Sequence, residues 1–289
     1  MSASKSIRLG ARRFDIAGVS REDRYFRRLT SGTEREFVRF CRDFLRPDDV
    51  CLDIGANIGV TALIMSQQVP RGRVVAIEPG PTIAKVLRRN IEGSGKRNIT
   101  VVESAVGDRD GTVAFVENSA WGHIADEGIE VSVTRLSSIA TRLGLDRIDF
   151  IKMDVEGYEF RILEDALQLI NDHRSLVYFE LNGFTQMVLG NANPREFVEW
   201  FLGNFAAVYA IRRAPYPIRL VDRFLGNVAA ACAMERTHPS YLKRIAPAQA
   251  IDLIHMNLVE DVCVTNVVAT NAPDRIRALA LAAARSETR

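Results

Sequence analysis

A chain of 289 residues is long enough to bury a full hydrophobic core, as one α/β domain or two smaller ones. Its 47% hydrophobic content is that of an ordinary globular protein, and no stretch of membrane-spanning length is free of charges, which argues against a transmembrane segment. A formal net charge of +2 leaves no strong electrostatic pull toward nucleic acid, so no nucleic-acid partner is expected.

The positive charge is uneven: residues 1–46 hold twelve Lys/Arg against six Asp/Glu. This reads first as a solvated helical face, and second as a surface that steers an anionic substrate or meets a membrane. Cys41, Cys51, Cys232 and Cys263 are scattered without C-x-x-C spacing, which fits a reducing compartment. The N-terminal M-S-A-S-K-S-I-R-L-G lacks the apolar core of a secretion signal, and a cytoplasmic location is expected.

In chain order, Ile7-Arg8-Leu9 and Arg13–Ile16 flank Gly10 as a small hairpin, followed by a charged segment over Arg21–Leu29. Phe37, Phe40, Cys41, Phe44 and Leu45 keep helical spacing until Pro47-Asp48-Asp49 stops them. Val50, Cys51, Leu52 and Ile54 are the apolar run of a strand buried on both faces. It ends in Asp53 and the turn Gly55-Ala56-Asn57-Ile58-Gly59, and a helix follows from Val60. Strand, tight turn and helix in that order aim backbone N–H groups at a ligand, and Gly55 and Gly59 let it approach closely.

Val74–Ile77 is the second buried strand, and Glu78-Pro79 stands at its tip. A carboxylate some twenty residues past the glycine turn suits hydrogen bonding to two ribose hydroxyls. After a helix over Thr82–Ile91, Ile99–Glu103 is a third strand with Ser104-Ala105 at its end. Thr112–Val116 and Glu130–Thr134 read as an extra hairpin beside the main sheet, joined by a polar loop carrying Trp121 and His123. A helix over Arg135–Leu143 precedes the fourth strand, Ile148–Met153, which runs into Asp154-Val155-Glu156-Gly157. The next helix carries Phe160, Ile162, Leu163, Ala166, Leu167 and Ile170, and the fifth strand, Leu176–Phe179, ends in Glu180-Leu181-Asn182. This alternation predicts a mostly parallel sheet with helices on both faces.

Beyond Asn182, Pro194 opens a helix, and Ala207–Ile211 and Val262–Ala269 are β-rich. Residues 212–261 between them read as a partly helical insertion before the last strand, a lid or an oligomer contact, which keeps a homo-oligomer among the alternatives. Arg275–Ala284 reads as a terminal helix. The organisation expected is residues 1–46 as a hairpin and helix within the main fold, and 47–289 as the domain proper.

Four strand tips taken together carry a likeness: Asp53-Ile54-Gly55-Ala56-Asn57-Ile58-Gly59, Glu78-Pro79, Ser104-Ala105, and Lys152-Met153-Asp154-Val155-Glu156-Gly157-Tyr158-Glu159. In this order the chain resembles the FkbM-type methyltransferase family from about Thr33 to Asn182. The resemblance implies a class I, Rossmann-like methyltransferase fold that uses S-adenosylmethionine and methylates a hydroxyl of a sugar, glycolipid or polyketide-type product. By position, Gly55, Ala56, Asn57 and Gly59 would receive the methionine part, and Asp53 would fix the turn and contact the ammonium. Glu78 with Pro79 would hold the ribose, and Ser104 and Ala105 would border the adenine.

Methylating a hydroxyl requires alignment and removal of a proton. Asp154 is the leading base, Glu180 the second and His123, on its loop, the third. Alternatively Asp154 and Glu180 hold a divalent cation, with Glu156 or Asn182 as a further oxygen ligand. Glu156 otherwise reads as a partner of the backbone or of Lys152. An NAD(P)-dependent Rossmann enzyme is a competing reading, but G-x-G-x-x-G is broken by Asn57 and by the early Gly59. A non-catalytic nucleotide-binding protein is the third.

Overall fold

The computed structural model describes residues 3–118, 121–211, 242–250 and 264–276. The chain starts with a hairpin of β1 (Ser4–Leu9) and β2 (Arg12–Ala17), with Ile7 opposite Phe14. Strand alternation turns Ile7, Leu9, Phe14 and Ile16 inward and leaves Arg8, Arg12 and Arg13 in solvent. Helices α1 (Arg24–Arg28) and α2 (Arg35–Phe44) follow, then β3 (Val50–Ile54), α3 (Val60–Gln68), β4 (Arg73–Ile77), α4 (Pro81–Gly93) and β5 (Ile99–Val102). Next, β6 (Ala105–Gly107), β7 (Gly111–Val116), β8 (His123–Ile124) and β9 (Ile129–Arg135) make a separate four-stranded sheet in the order β6-β9-β7-β8. The expected hairpin of β7 and β9 is therefore the middle of a larger side sheet.

The chain returns to the core through α5 (Leu136–Arg142), β10 (Phe150–Met153), α6 (Glu159–Asp172) and β11 (Leu176–Asn182). It continues with α7 (Gly183–Val188), α8 (Pro194–Asn204), β12 (Ala207–Ile211), β13 (Leu242–Ile245) and β14 (Val264–Thr270). Among the described residues the main sheet has eight strands in the order β13-β12-β14-β11-β10-β3-β4-β5. Strands β5, β4, β3, β10 and β11 are mutually parallel, and β14 runs antiparallel between β11 and β12. This is the mostly parallel α/β sheet that the alternation predicts.

Of the expected insertion, the structure describes 242–250, a strand and a short 3-10 turn; the remainder lies outside the described residues, as do Cys232, Cys263 and the terminal helix beyond Ile276. Cys41 and Cys51 are free thiols in the core. Among the described residues no helix is long and apolar enough to cross a membrane.

Both faces of the sheet are covered. On one, Phe37 and Phe40 of α2 meet Phe150 and Tyr178, with the Phe40 ring 5.1 Å from that of Tyr178. On the other, Phe197 and Phe201 of α8 pack on Phe179. Full burial of each such ring contributes about 2–3 kcal/mol. From β3 the chain moves outward to β4 and β5, then crosses back to β10 and β11 on the other side. The carboxyl ends of β3 and β10 thus form a topological switch point, where open α/β sheets bind their ligands.

Candidate active site

The loop after β3 turns through left-handed backbone at Gly55, Asn57 and Gly59, with φ of 77°, 48° and 94°. The N–H groups of Gly55 and Ala56 both donate to the Ile77 carbonyl at 3.0 Å, tying the loop to the tip of β4. Glu78 braces it further: Oε2 accepts the Asn57 N–H and Oε1 the Gly80 N–H, each at 2.9 Å. Glu78 is buried, and burial, with the carboxylates of Glu117 and Asp53 nearby, pushes its carboxyl up to about 7 against those two donors. Glu117, which the sequence does not single out, accepts the N–H groups of Thr82 and Ile83 at the start of α4. Asn90 clamps the same loop to the N-terminal hairpin, donating to the Ile58 and Ala17 carbonyls at 2.8 and 3.0 Å.

Beneath the loop lies an ionic cluster. Lys152 on β10 is paired in register with Asp53 on β3. Its buried ammonium stands 3.3 Å from Asp154 Oδ2 and 3.8 Å from Asp53 Oδ1. Asp53 is fully buried; Oδ2 accepts the Thr61 hydroxyl at 2.7 Å, while Oδ1 has no hydrogen-bond partner among the described residues. Burial raises the Asp53 carboxyl, and Lys152 and Thr61 oppose that rise. Lys152 therefore serves Asp154 and Asp53, where the sequence suggests Glu156. From the N-terminal segment, Tyr25 and Glu34 reach this cluster electrostatically: both groups are raised by burial first, and both sense Asp154 and Asp53.

The turn after β10 holds Glu156 and Gly157 at positive φ, 53° and 102°. Buried Glu159 closes it, accepting the Val155 and Gly157 N–H groups at 2.9 and 3.0 Å, and receives the Gln186 side-chain amide from α7. Burial lifts Glu159 to about 7 and Glu156 to about 8. Asp154 and Glu180 each lie one residue beyond the paired Met153 and Phe179, so they stand side by side at the strand ends. Burial and the carboxylates of Asp154, Glu156 and Glu159 push Glu180 well up.

Asn182 is used otherwise, its side-chain oxygen capping α7 at the N–H groups of Phe184 and Thr185. Among the described residues no group of three or more His, Cys, Asp or Glu side chains is arranged to hold a metal ion. The Asp154–Glu180 pair therefore has no complete set of cation ligands there.

Pro79 follows Glu78 at the head of α4. The Ser104 hydroxyl is buried and contacts the Ala105 and Ser132 carbonyls and Thr134, so it is turned into the side sheet with Ala105. His123 pairs with Val116 in that sheet, and its Nδ1 lies 2.9 Å from the Trp121 carbonyl; no contact joins it to Asp154 or Glu180 among the described residues. Trp121 meets the N-terminal segment, with the Arg24 guanidinium 4.9 Å from the ring centre.

This arrangement coincides with a family signature. The family described as Methyltransferase FkbM domain matches residues 53–201, just over half the chain and the stretch that carries these strand tips. The chain belongs to the FkbM methyltransferase family. Relatives within reach of its sequence include the 2-O-methyltransferase NoeI of Sinorhizobium fredii, 28% identical over 47% of this chain and 64% of that protein. The 31-O-demethyl-FK506 methyltransferase FkbM of Streptomyces tacrolimicus is 30% identical over 46% of this chain and 66% of its own length. For the hexuronic acid methyltransferase AglP of Haloferax volcanii the identity is 30%, over 48% and 59%. The chain thus spans less than two thirds of each of these relatives. A solved FkbM methyltransferase from Methylobacillus flagellatus superposes with a TM-score of 0.36 at 23% identity, over 47% of this chain and 34% of that one.

Proposed function

We propose that this FkbM-family chain is an S-adenosylmethionine-dependent O-methyltransferase acting on a hydroxyl of a sugar, glycolipid or natural product. The observation that carries this reading is the convergence of Asp53, Glu78 and Asp154 around the Gly55–Gly59 loop at the switch point. The residues present fit the cofactor. Each Glu78 oxygen has accepted one backbone N–H and keeps a lone pair for a ribose hydroxyl. Asp53 Oδ1, buried and unsatisfied, suits an ammonium donor.

When bound, S-adenosylmethionine supplies a methyl group on a sulfonium, open to in-line attack by an oxygen. The chain's own contribution is to align the acceptor hydroxyl and take its proton. Of the three candidate bases, His123 is held in the side sheet and Asp154 is ion-paired with Lys152. Glu180, raised by burial and three neighbouring carboxylates, is the carboxylate best poised to accept a proton, with Asp154 orienting the acceptor. The activities that name these relatives, on a 2-O position, on 31-O-demethyl-FK506 and on a hexuronic acid, support a sugar or polyketide acceptor here.

Calorimetry with S-adenosylhomocysteine, NAD and NADP tests the cofactor assignment. Binding of S-adenosylhomocysteine alone is expected, and its loss in Glu78→Ala. Unchanged affinity in that variant would refute the ribose role, and preferential NAD binding would overturn the reading. Transfer of labelled methyl to a panel of sugars, glycolipids and macrolides then tests the acceptor class.

A further inference from the structure

Helix α4 has no capping side chain of its own: residue 80, where one would stand, is glycine, and Pro81 opens the helix. The cap comes instead from the side sheet, 35 residues beyond Thr82. Half-buried Glu117, which follows β7, accepts the N–H groups of Thr82 and Ile83 on Oε1 at 2.7 and 3.0 Å. Two carboxylates crowd Gly80, where a Cβ would lie 2.7 Å from Glu117 Oε1 and 3.1 Å from Glu78 Oε1. The side sheet thus plants a second carboxylate beside buried Glu78, and its charge adds to the burial that raises the Glu78 carboxyl.

Two donors fill Glu117 Oε1, while Oε2 accepts no hydrogen bond among the described residues. Each Glu78 oxygen has taken one backbone N–H and can accept a further donor. Neighbouring carboxylates with unspent lone pairs match a pair of adjacent O–H donors, which would also relieve their mutual repulsion. Ser104, the other side chain expected at the adenosine, is turned away into the side sheet. We infer that Glu117 is a cofactor-binding residue: its Oε2 accepts from one hydroxyl of the ribose diol and Glu78 from the other, so that the side sheet closes the ribose end of the site. The inference rests on the methyltransferase reading above, in which Glu78 receives the ribose.

The test measures affinity for S-adenosylhomocysteine and for its 2′-deoxy and 3′-deoxy analogues, each lacking one hydroxyl. In Glu117→Gln the side-chain oxygen still caps α4 but the charge is gone. Affinity for S-adenosylhomocysteine should then fall at least about tenfold, the effect of losing one charged hydrogen bond. With one of the two deoxy analogues, variant and wild type should bind alike, because the hydroxyl that Glu117 holds is missing. Glu117→Ala also uncaps the helix, so urea unfolding should show lost stability there, but the same difference among the three ligands is expected. An unchanged S-adenosylhomocysteine affinity in Glu117→Gln, or a loss equal for all three ligands, would leave Glu117 as a helix cap only; either overturns the inference. Wild-type protein that fails to bind S-adenosylhomocysteine would instead sink the methyltransferase reading, and the inference with it.

Discussion

Gly55 and the backbone of Asp154 are in direct contact: a Cβ added at Gly55 would stand 1.9 Å from the Asp154 carbonyl oxygen. The tips of β3 and β10 press together here, which is how residues about a hundred positions apart come to share one site. Gly55→Ala would add that clash to a φ of 77° unsuited to a side chain, and neither backbone segment can swing aside. The expected cost is about 3 kcal/mol in urea unfolding, with loss of S-adenosylhomocysteine binding. Wild-type stability and affinity would show that the close approach is dispensable.

Glu78 and Glu159, both buried and both raised from 4.5 to about 7, make the ligand-free protein sensitive to pH. The unfolded chain loses these protons near 4.5, while the folded protein keeps them to about 7. Their stabilising contribution is therefore complete below the lower value and fades as pH rises through the upper one, by up to about 3 kcal/mol each. Urea unfolding across that window should show falling stability, with a shallower fall in Glu159→Gln. A variant with the wild-type slope would remove Glu159 from the account.

Buried parallel strands were the most legible part of the chain, because burial on both faces leaves runs such as Val74–Ile77 and Leu176–Phe179 almost without polar interruption. The helices α1, R-Y-F-R-R, and α7, G-F-T-Q-M-V, are too short and mixed to show a period and are held by tertiary contacts. The glycine turn and Glu78 could be read from spacing alone. Lys152 read only as a partner of Glu156, since its pairing with Asp53 exists once β3 and β10 lie side by side. Glu34 and Tyr25 had no local signal at all, because the groups they sense are distant in sequence. Glu159 lay inside the quoted motif, but that it locks the turn follows from hydrogen bonds, not from composition.

At the opposite end of the sheet, Arg275 Nη2 meets the fully buried Asp49 at 2.7 Å and Nη1 meets the Asp149 carbonyl. This pair fastens the segment after β14 to the start of β3. Arg275→Met would leave the Asp49 carboxylate, whose carboxyl burial already pushes up, with only Arg147 at 3.5 Å and the Arg46 N–H. A loss of about 2 kcal/mol is expected in urea unfolding, with S-adenosylhomocysteine affinity unchanged. A weakened affinity in the folded variant would show that the clamp also shapes the site.

Glu180 and Asp154 are neighbours with different partners, and that difference separates their roles. Asp154 Oδ2 is held 3.3 Å from Lys152, so its charge is committed to the cluster beneath the Gly55–Gly59 loop. Burial, with three carboxylates around it, raises the affinity of Glu180 for a proton. With an acceptor from the panel in hand, Glu180→Gln should slow methyl transfer by about a hundredfold or more and spare S-adenosylhomocysteine affinity. The wild-type rate should rise with pH as Glu180 ionises, and this rise should vanish in the variant. Asp154→Asn should also spare binding and reduce turnover, but keep the rise, because the proton acceptor is still present. If Asp154→Asn abolishes the pH dependence while Glu180→Gln preserves it, the two roles are reversed and the ion pair with Lys152 does not prevent Asp154 from taking the proton.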